Sequence, residues 1–130
     1  MPTTRFGVSV DTTHATTLSD IEDDCRELDV CRSEIVDAIL TAFLASDREH
    51  TRDVRQQLLT REEPDEKTQF GVSIRESTAD ELAPILEATE SLDTTRSAVV
   101  DVILGLFFGN DRDHATAVRQ IVKQRRLGKL

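Results

Sequence analysis

Large apolar residues alternate with small or polar ones along Arg5-Phe6-Gly7-Val8-Ser9-Val10-Asp11, and the same alternation returns from Gln69 to Arg75. A period of two sends successive side chains to opposite faces of a strand, so each segment predicts a short strand with one buried face. The period then changes. Leu18, Ile21, Cys25 and Leu28 fall on one stripe, as do Leu82, Ile85 and Leu92 later in the chain, which is the spacing of a helix with one apolar side. Thr78 and Glu81 have the spacing of a capping box for the second of these helices. Pro84 predicts a late or irregular start there, because proline is best tolerated in a first helical turn. A more apolar helix follows each of the short breaks Val30-Cys31 and Thr94-Thr95, carrying Ile35, Val36, Ile39, Leu40 and Phe43 in its first occurrence. A third helix is predicted after Ser46-Asp47-Arg48-Glu49 and after Asn110-Asp111-Arg112-Asp113, both resembling N-terminal caps, with His50, Val54 and Leu58 at four-residue steps. Arg61 to Thr68 holds proline and charge but no apolar residue and reads as a linker.

These elements come in two sets. With Phe6 aligned on Phe70, an ungapped period of 64 residues matches 22 of the 51 positions from residue 6 to residue 56. FGVSV lies over FGVSI, Arg32-Ser33 over Arg96-Ser97, Val36-Asp37 over Val100-Asp101, and Phe43 over Phe107. Chance does not produce that agreement, so any function has to make sense of a repeated unit.

A chain of 130 residues with 38% hydrophobic content suits one ordinary core. No apolar run approaches the roughly 18 residues of a membrane span, and MPTTRFG lacks the apolar stretch of a secretory leader, so a cytoplasmic protein is expected. Two cysteines, Cys25 and Cys31, are too few for a zinc site and read as reduced thiols. The charge brings a tension: 25 acidic against 16 basic residues give a net charge of −9, which repels a phosphate backbone. Arginine strongly outnumbers lysine and Asp is abundant, a bias that resembles the acidic proteins of salt-loving archaea. In that setting overall acidity says little about partners, although a solvating or protein-binding surface is the alternative account.

The order strand, helix, short turn with Arg-Ser, then a longer apolar helix resembles the ribbon-helix-helix family of the Arc, MetJ, CopG and NikR type. The resemblance covers nearly the whole chain as two copies, apart from the third helices and the linker. It implies a mainly α fold with a short two-stranded antiparallel β-ribbon, one strand from each unit, backed by four helices. Such a unit cannot fold alone, because a lone strand has no partner and a two-helix layer cannot bury its apolar faces. The organisation expected is therefore a tandem pseudodimer with an additional helix after each unit: unit one over residues 5–60, a linker over 61–68, and unit two over 69–127. A linker reaching up to roughly 30 Å allows the strands to pair within one chain or between two swapped chains.

The resemblance further implies a DNA-binding transcription regulator, with repression as the default effect, whose ribbon enters the major groove. If Phe6, Val8 and Val10 face the helices, alternation sends Arg5, Gly7 and Ser9 to the opposite side, and Gln69, Gly71 and Ser73 likewise. In the resembling family that side reads bases. Arg donates two hydrogen bonds to guanine and Gln pairs with adenine, each contact discriminating by roughly 1–3 kcal/mol. A glycine within a strand signals either close approach of another molecule's backbone or a bulge or flat, tightly paired ribbon. Arg32-Ser33 and Arg96-Ser97 stand at helix starts, whose free N–H groups attract anions, so these residues are expected to hold backbone phosphates, with Arg75 as a further contact. Ser33 and Ser97 also suit helix capping, which is compatible with that role.

Several features have two accounts. The basic run from Lys123 to Lys129 suits nonspecific DNA contact or a solvated helix end. His50 and His114 recur at matching positions, but no clustered ligands accompany them, so no metal is expected and a helix-start hydrogen bond is the plainer role. No cofactor is expected either. Val102, Leu106 and Phe108 replace the smaller Ala38, Ala42 and Leu44, and this wider apolar face suggests a third-helix contact or a homodimer of pseudodimers. An enzyme is not expected, since no nucleophile–base pair or phosphate loop can be assembled. The rival function is a protein-interaction module of antitoxin type with little DNA specificity.

Overall fold

The computed structural model describes residues 3–45, 49–61, 64–92, 95–109 and 114–127. Among these the chain forms six α-helices and one two-stranded antiparallel sheet. Strand β1 (Thr3–Asp11) runs directly into α1 (Thr12–Asp24), and a 3-10 turn at Arg26–Leu28 leads to α2 (Arg32–Ala45) and α3 (His50–Thr60). The same order follows in the second half: β2 (Lys67–Arg75), α4 (Glu76–Ala88), a 3-10 turn at Glu90–Leu92, α5 (Arg96–Phe108) and α6 (His114–Arg126).

The strands pair from Thr3 opposite Arg75 to Asp11 opposite Lys67, with Gly7 facing Gly71 at the centre. Neither strand carries an extra residue in this register, so the glycines mark a continuous ribbon and not a bulge. Each strand begins two residues before the alternating pattern does, because backbone pairing extends the ladder regardless of side-chain type. Lys67 and Thr68 consequently belong to β2, and the 61–68 linker is shorter than its composition indicates.

Beneath the ribbon, Val8, Val10, Val72 and Ile74 are buried against Ile35, Val36, Ile39 and Leu40 of α2 and Val99, Val100, Ile103 and Leu104 of α5. The packing crosses between halves. Helix α5 lies under β1 and α2 under β2, while α3 packs on α4 and α5, and α6 on α1 and α2. Val54 of α3 and Val118 and Val122 of α6 are fully buried in this shared core. Each such side chain contributes about 1.5–3 kcal/mol of burial that either half alone would lack.

Two sequence expectations are corrected here. Thr78 does not cap α4: it is the third residue of that helix, buried, with its hydroxyl 3.4 Å from Thr41 Oγ1. The strand enters the helix without a loop, so the capping position falls on Arg75, which makes no side-chain cap; at the corresponding place in the first half, Asp11 accepts the Thr13 N–H at 2.9 Å. Pro84 does not delay α4. It sits on the exposed side of the helix interior, and the carbonyl left without a donor belongs to exposed Asp80, where water can satisfy it. The extra bulk on α5 takes up the third-helix contact that the sequence offered as one of two accounts: Val102 is buried, and Leu106 and Phe108 are half-buried against the core. Phe108 packs between His14, Phe107 and His114. The capping segments Ser46–Arg48 and Asn110–Asp113 lie outside the described residues.

Candidate nucleic-acid interface

Alternation divides the ribbon as the sequence indicates. Val8, Val10, Val72 and Ile74 are buried, Phe6 and Phe70 are half-buried, and Arg5, Gly7, Gln69 and Gly71 are exposed on the other face, with Ser9 and Ser73 half-buried. The register brings these six residues together as adjacent rows, Arg5 opposite Ser73, Gly7 opposite Gly71, and Ser9 opposite Gln69. The same face extends one row further at each end, to Thr3 with Arg75 and Asp11 with Lys67. Sequence reasoning left Thr3 and Lys67 out because the pairing, and not the apolar pattern, carries them into the strands.

The Arg5 guanidinium folds across the ribbon. A Cβ built on Gly71 would stand 3.2 Å from Arg5 Nη2, whereas one on Gly7 would meet nothing within 4 Å. Gly71 thus makes room for a cation near the middle of the face, and Gly7 leaves the backbone bare beside it.

Ser33 and Ser97 are neither caps nor free. Each is the second residue of its helix, and its hydroxyl oxygen accepts a strand N–H from the other half: Ser73 N–H to Ser33 Oγ at 2.9 Å, and Ser9 N–H to Ser97 Oγ at 3.1 Å. One turn along, Asp101 Oδ1 accepts the Asp11 N–H at 3.0 Å and Asp37 Oδ2 that of Arg75 at 3.4 Å. A two-stranded ribbon has two open edges, and a Ser and an Asp four residues apart satisfy alternate amides along each of them. The N-cap of α5 is Thr95, which accepts the Ala98 N–H.

Arg32 and Arg96 stand at opposite edges of the ribbon, each over an aromatic ring on the other half's strand, 4.9 Å from the Phe70 centroid and 4.7 Å from that of Phe6. This stacking fixes the planar guanidinium beside the strand. Arg32 is held further by Glu22 Oε1 at 3.0 Å and Ser19 Oγ at 2.8 Å, while Arg96 is the more exposed of the two.

Asp37 and Asp101 are buried acids that sequence reasoning did not single out. The signal is an Asp inside a strongly apolar helix, at positions 64 residues apart in the two halves of the chain. Burial pushes the Asp101 carboxyl up, but hydrogen bonds from His14, the Asp11 N–H and Arg61 outweigh it and hold the group below its usual range. His14 Nδ1 lies 2.6 Å and Arg61 Nη1 2.7 Å from this carboxylate. Asp37 is bracketed by Arg75 at 3.4 Å and Arg125 at 3.3 Å. Burial draws the Arg125 guanidinium below its usual value, opposed by the charge of Asp37.

The C-terminal basic run is not a free tail over its described part. Arg125 also donates to the Asp37 carbonyl and to Thr41, and Arg126 to the Leu28 carbonyl and Glu34. Upstream on α6, Arg119 pairs with Glu27 at 2.7 Å. Arg119 and Arg126 of α6 thus lie against the end of α1 and the 3-10 turn after it, through the Asp24 and Leu28 carbonyls and the Glu27 carboxylate. The His50 and His114 rings pack on Phe43 and Phe107, 5.1 and 5.6 Å between centroids, and His114 Nδ1 has no hydrogen-bond partner among the described residues. Cys25 is buried, its thiol 3.8 Å from the Ala115 carbonyl, and Cys31 is exposed; neither forms a disulfide among the described residues. No described helix is long and apolar enough to cross a membrane.

No family model matches this chain, and neither a curated protein nor a solved structure matches it significantly.

Proposed function

We propose that this chain is a sequence-specific DNA-binding transcription regulator of the ribbon-helix-helix kind, with repression as its default effect. Two tandem units of one chain make the pseudodimer, each followed by an additional helix, and the ribbon is the part that enters the major groove. The observation that carries this reading is the exposed row on the ribbon's outer face, with Arg5, Gly7, Gln69 and Gly71 uncovered while every second residue beneath is packed. A major groove about 12 Å wide admits a two-stranded ribbon, and the two polar side chains there suit guanine and adenine edges.

In this reading Arg5 and Gln69 discriminate bases, Ser9 and Ser73 read permissively, and Gly7 and Gly71 let the groove floor approach. Arg96 and, with Glu22 sharing it, Arg32 hold flanking phosphates; Arg75 adds to the grip. Ser33 and Ser97 act by fixing the helix starts against the strands, so that the phosphate-facing amides and the base-reading row stay in register. The protein would work in the cytoplasm, where two chains side by side would span adjacent half-sites. Replacing Arg5 and Gln69 together by Ala should abolish preference for a selected duplex and leave the unfolding midpoint unchanged. Retained preference in a folded double variant would refute the assignment of the reader.

A further inference from the structure

The outward face of the ribbon differs at its two ends. Toward the Thr3–Arg75 end, Arg5 faces Ser73; toward the other, Gln69 faces Ser9 and Asp11 faces Lys67. An arginine therefore stands where the residue 64 positions on is glutamine, and Arg75 where the corresponding residue is Asp11. The flanks repeat the contrast. Beside the Thr3 end, an open hollow of about 390 Å³ is lined by Glu34, Asp37, Arg75, Arg125 and Arg126; Glu34 pairs with Arg126, and the single Asp37 carboxylate cannot neutralise both arginines that bracket it. Beside the other end, a hollow of about 490 Å³ is lined by Asp11, His14, Arg61 and Asp101, where Asp101 matches the one arginine and Asp11 adds a second carboxylate. The Arg5 guanidinium also lies over Gly71 with nothing in the corresponding place above Gly7.

We infer that the chain binds a duplex without dyad symmetry in one fixed orientation, with guanine under Arg5, adenine toward Gln69, and the firmer phosphate grip at the Thr3–Arg75 end. This rests on the DNA-reading function proposed above. Turning the duplex end for end sets Arg5 against adenine, Gln69 against guanine, and Asp11 against the phosphate that Arg75 had held. Two mispaired base contacts and one like-charge contact weaken the reversed complex by roughly tenfold or more. A fold with two similar halves is thereby able to mark direction on DNA.

Cys31 provides the test, because it is exposed and lines the hollow at the Thr3 end, while the other thiol, Cys25, is buried. The full chain is used to enrich binders from random duplexes, and an iron chelate tethered to Cys31 then cleaves the selected duplex. The expected result is a half-site lacking dyad symmetry for each bound chain, cut on one of its flanks in preference to the other by about tenfold. Arg5→Gln, which gives the two strands the same residue at that place, should shift the enriched motif toward symmetry. A half-site that is itself palindromic, or equal cutting on both flanks of a single half-site, overturns the fixed orientation and leaves the DNA-reading function standing. No enriched motif at any salt concentration overturns both.

Discussion

Arg5 and Gly71 are a matched pair across the ribbon: the glycine's missing side chain is the space in which the guanidinium rests, 3.2 Å from where a Cβ would be. Gly71→Ala should displace Arg5 and lower specific DNA affinity by about tenfold, the loss of one base contact, with little change in thermal stability. Gly7→Ala meets no atom within 4 Å in the free protein. It should fold normally and still bind DNA less well, because the added methyl group stands where the groove floor comes close. Affinity and melting temperature measured on both variants check the pair; an unaffected affinity for Gly7→Ala would remove close approach as the reason for that glycine.

Ser33 and Ser97 tie each core helix to the opposite strand. Ser97→Ala strands the Ser9 N–H and Ser33→Ala that of Ser73, so each should cost about 1 kcal/mol of stability, measurable as a shift in urea midpoint with unchanged slope. If either serine served only as a phosphate contact, the free protein would show no loss.

Asp101 makes stability depend on acid. Its folded carboxyl ionises at lower pH than an unfolded Asp, so in that range the unfolded chain binds more protons. The contribution is complete above about pH 4 and is lost as pH falls through the depressed folded value. Asp101→Asn should be destabilised at neutral pH by about 2–4 kcal/mol, less than a fully enclosed pair because Arg61 and His14 are each 22% exposed. The gap to the parent should narrow below about pH 4. A gap that stays constant into acid would show that the charge of Asp101 contributes nothing.

The alternation in FGVS and the helical stripes made the two strands and the core helices legible from sequence, and with them the outward placement of Arg5, Gly7, Gln69 and Gly71. What sequence could not convey was which half each contact belongs to. Ser33 looked like a cap because its position is near a helix start, yet its partner lies on β2, 40 positions away. Arg125 looked like part of a solvated basic run, but α6 turns it onto Asp37 in the other half. Pro84 was misleading because the tolerance of a helix for proline depends on whether water reaches the freed carbonyl, which is a matter of exposure and not of local pattern.

The acidic surface implies an unusual response to salt. With Arg32 shared by Glu22 and Arg75 by Asp37, few cations are free to displace counterions. The plot of log affinity against log salt should therefore have a shallow slope, about −2 to −3, as for two or three phosphate contacts. A slope of about −6 or steeper would mean a more extensive ionic interface than this face provides.

The most direct test of the ribbon as a DNA reader is enrichment from a pool of random duplexes at low and high salt, performed with the parent chain and with Arg5→Ala, Gln69→Ala. A short recurring motif for the parent, persisting at high salt and absent for the folded double variant, is the predicted result. Enrichment of nothing by the parent at either salt concentration would contradict it and leave the outer face of the ribbon as a surface for another protein.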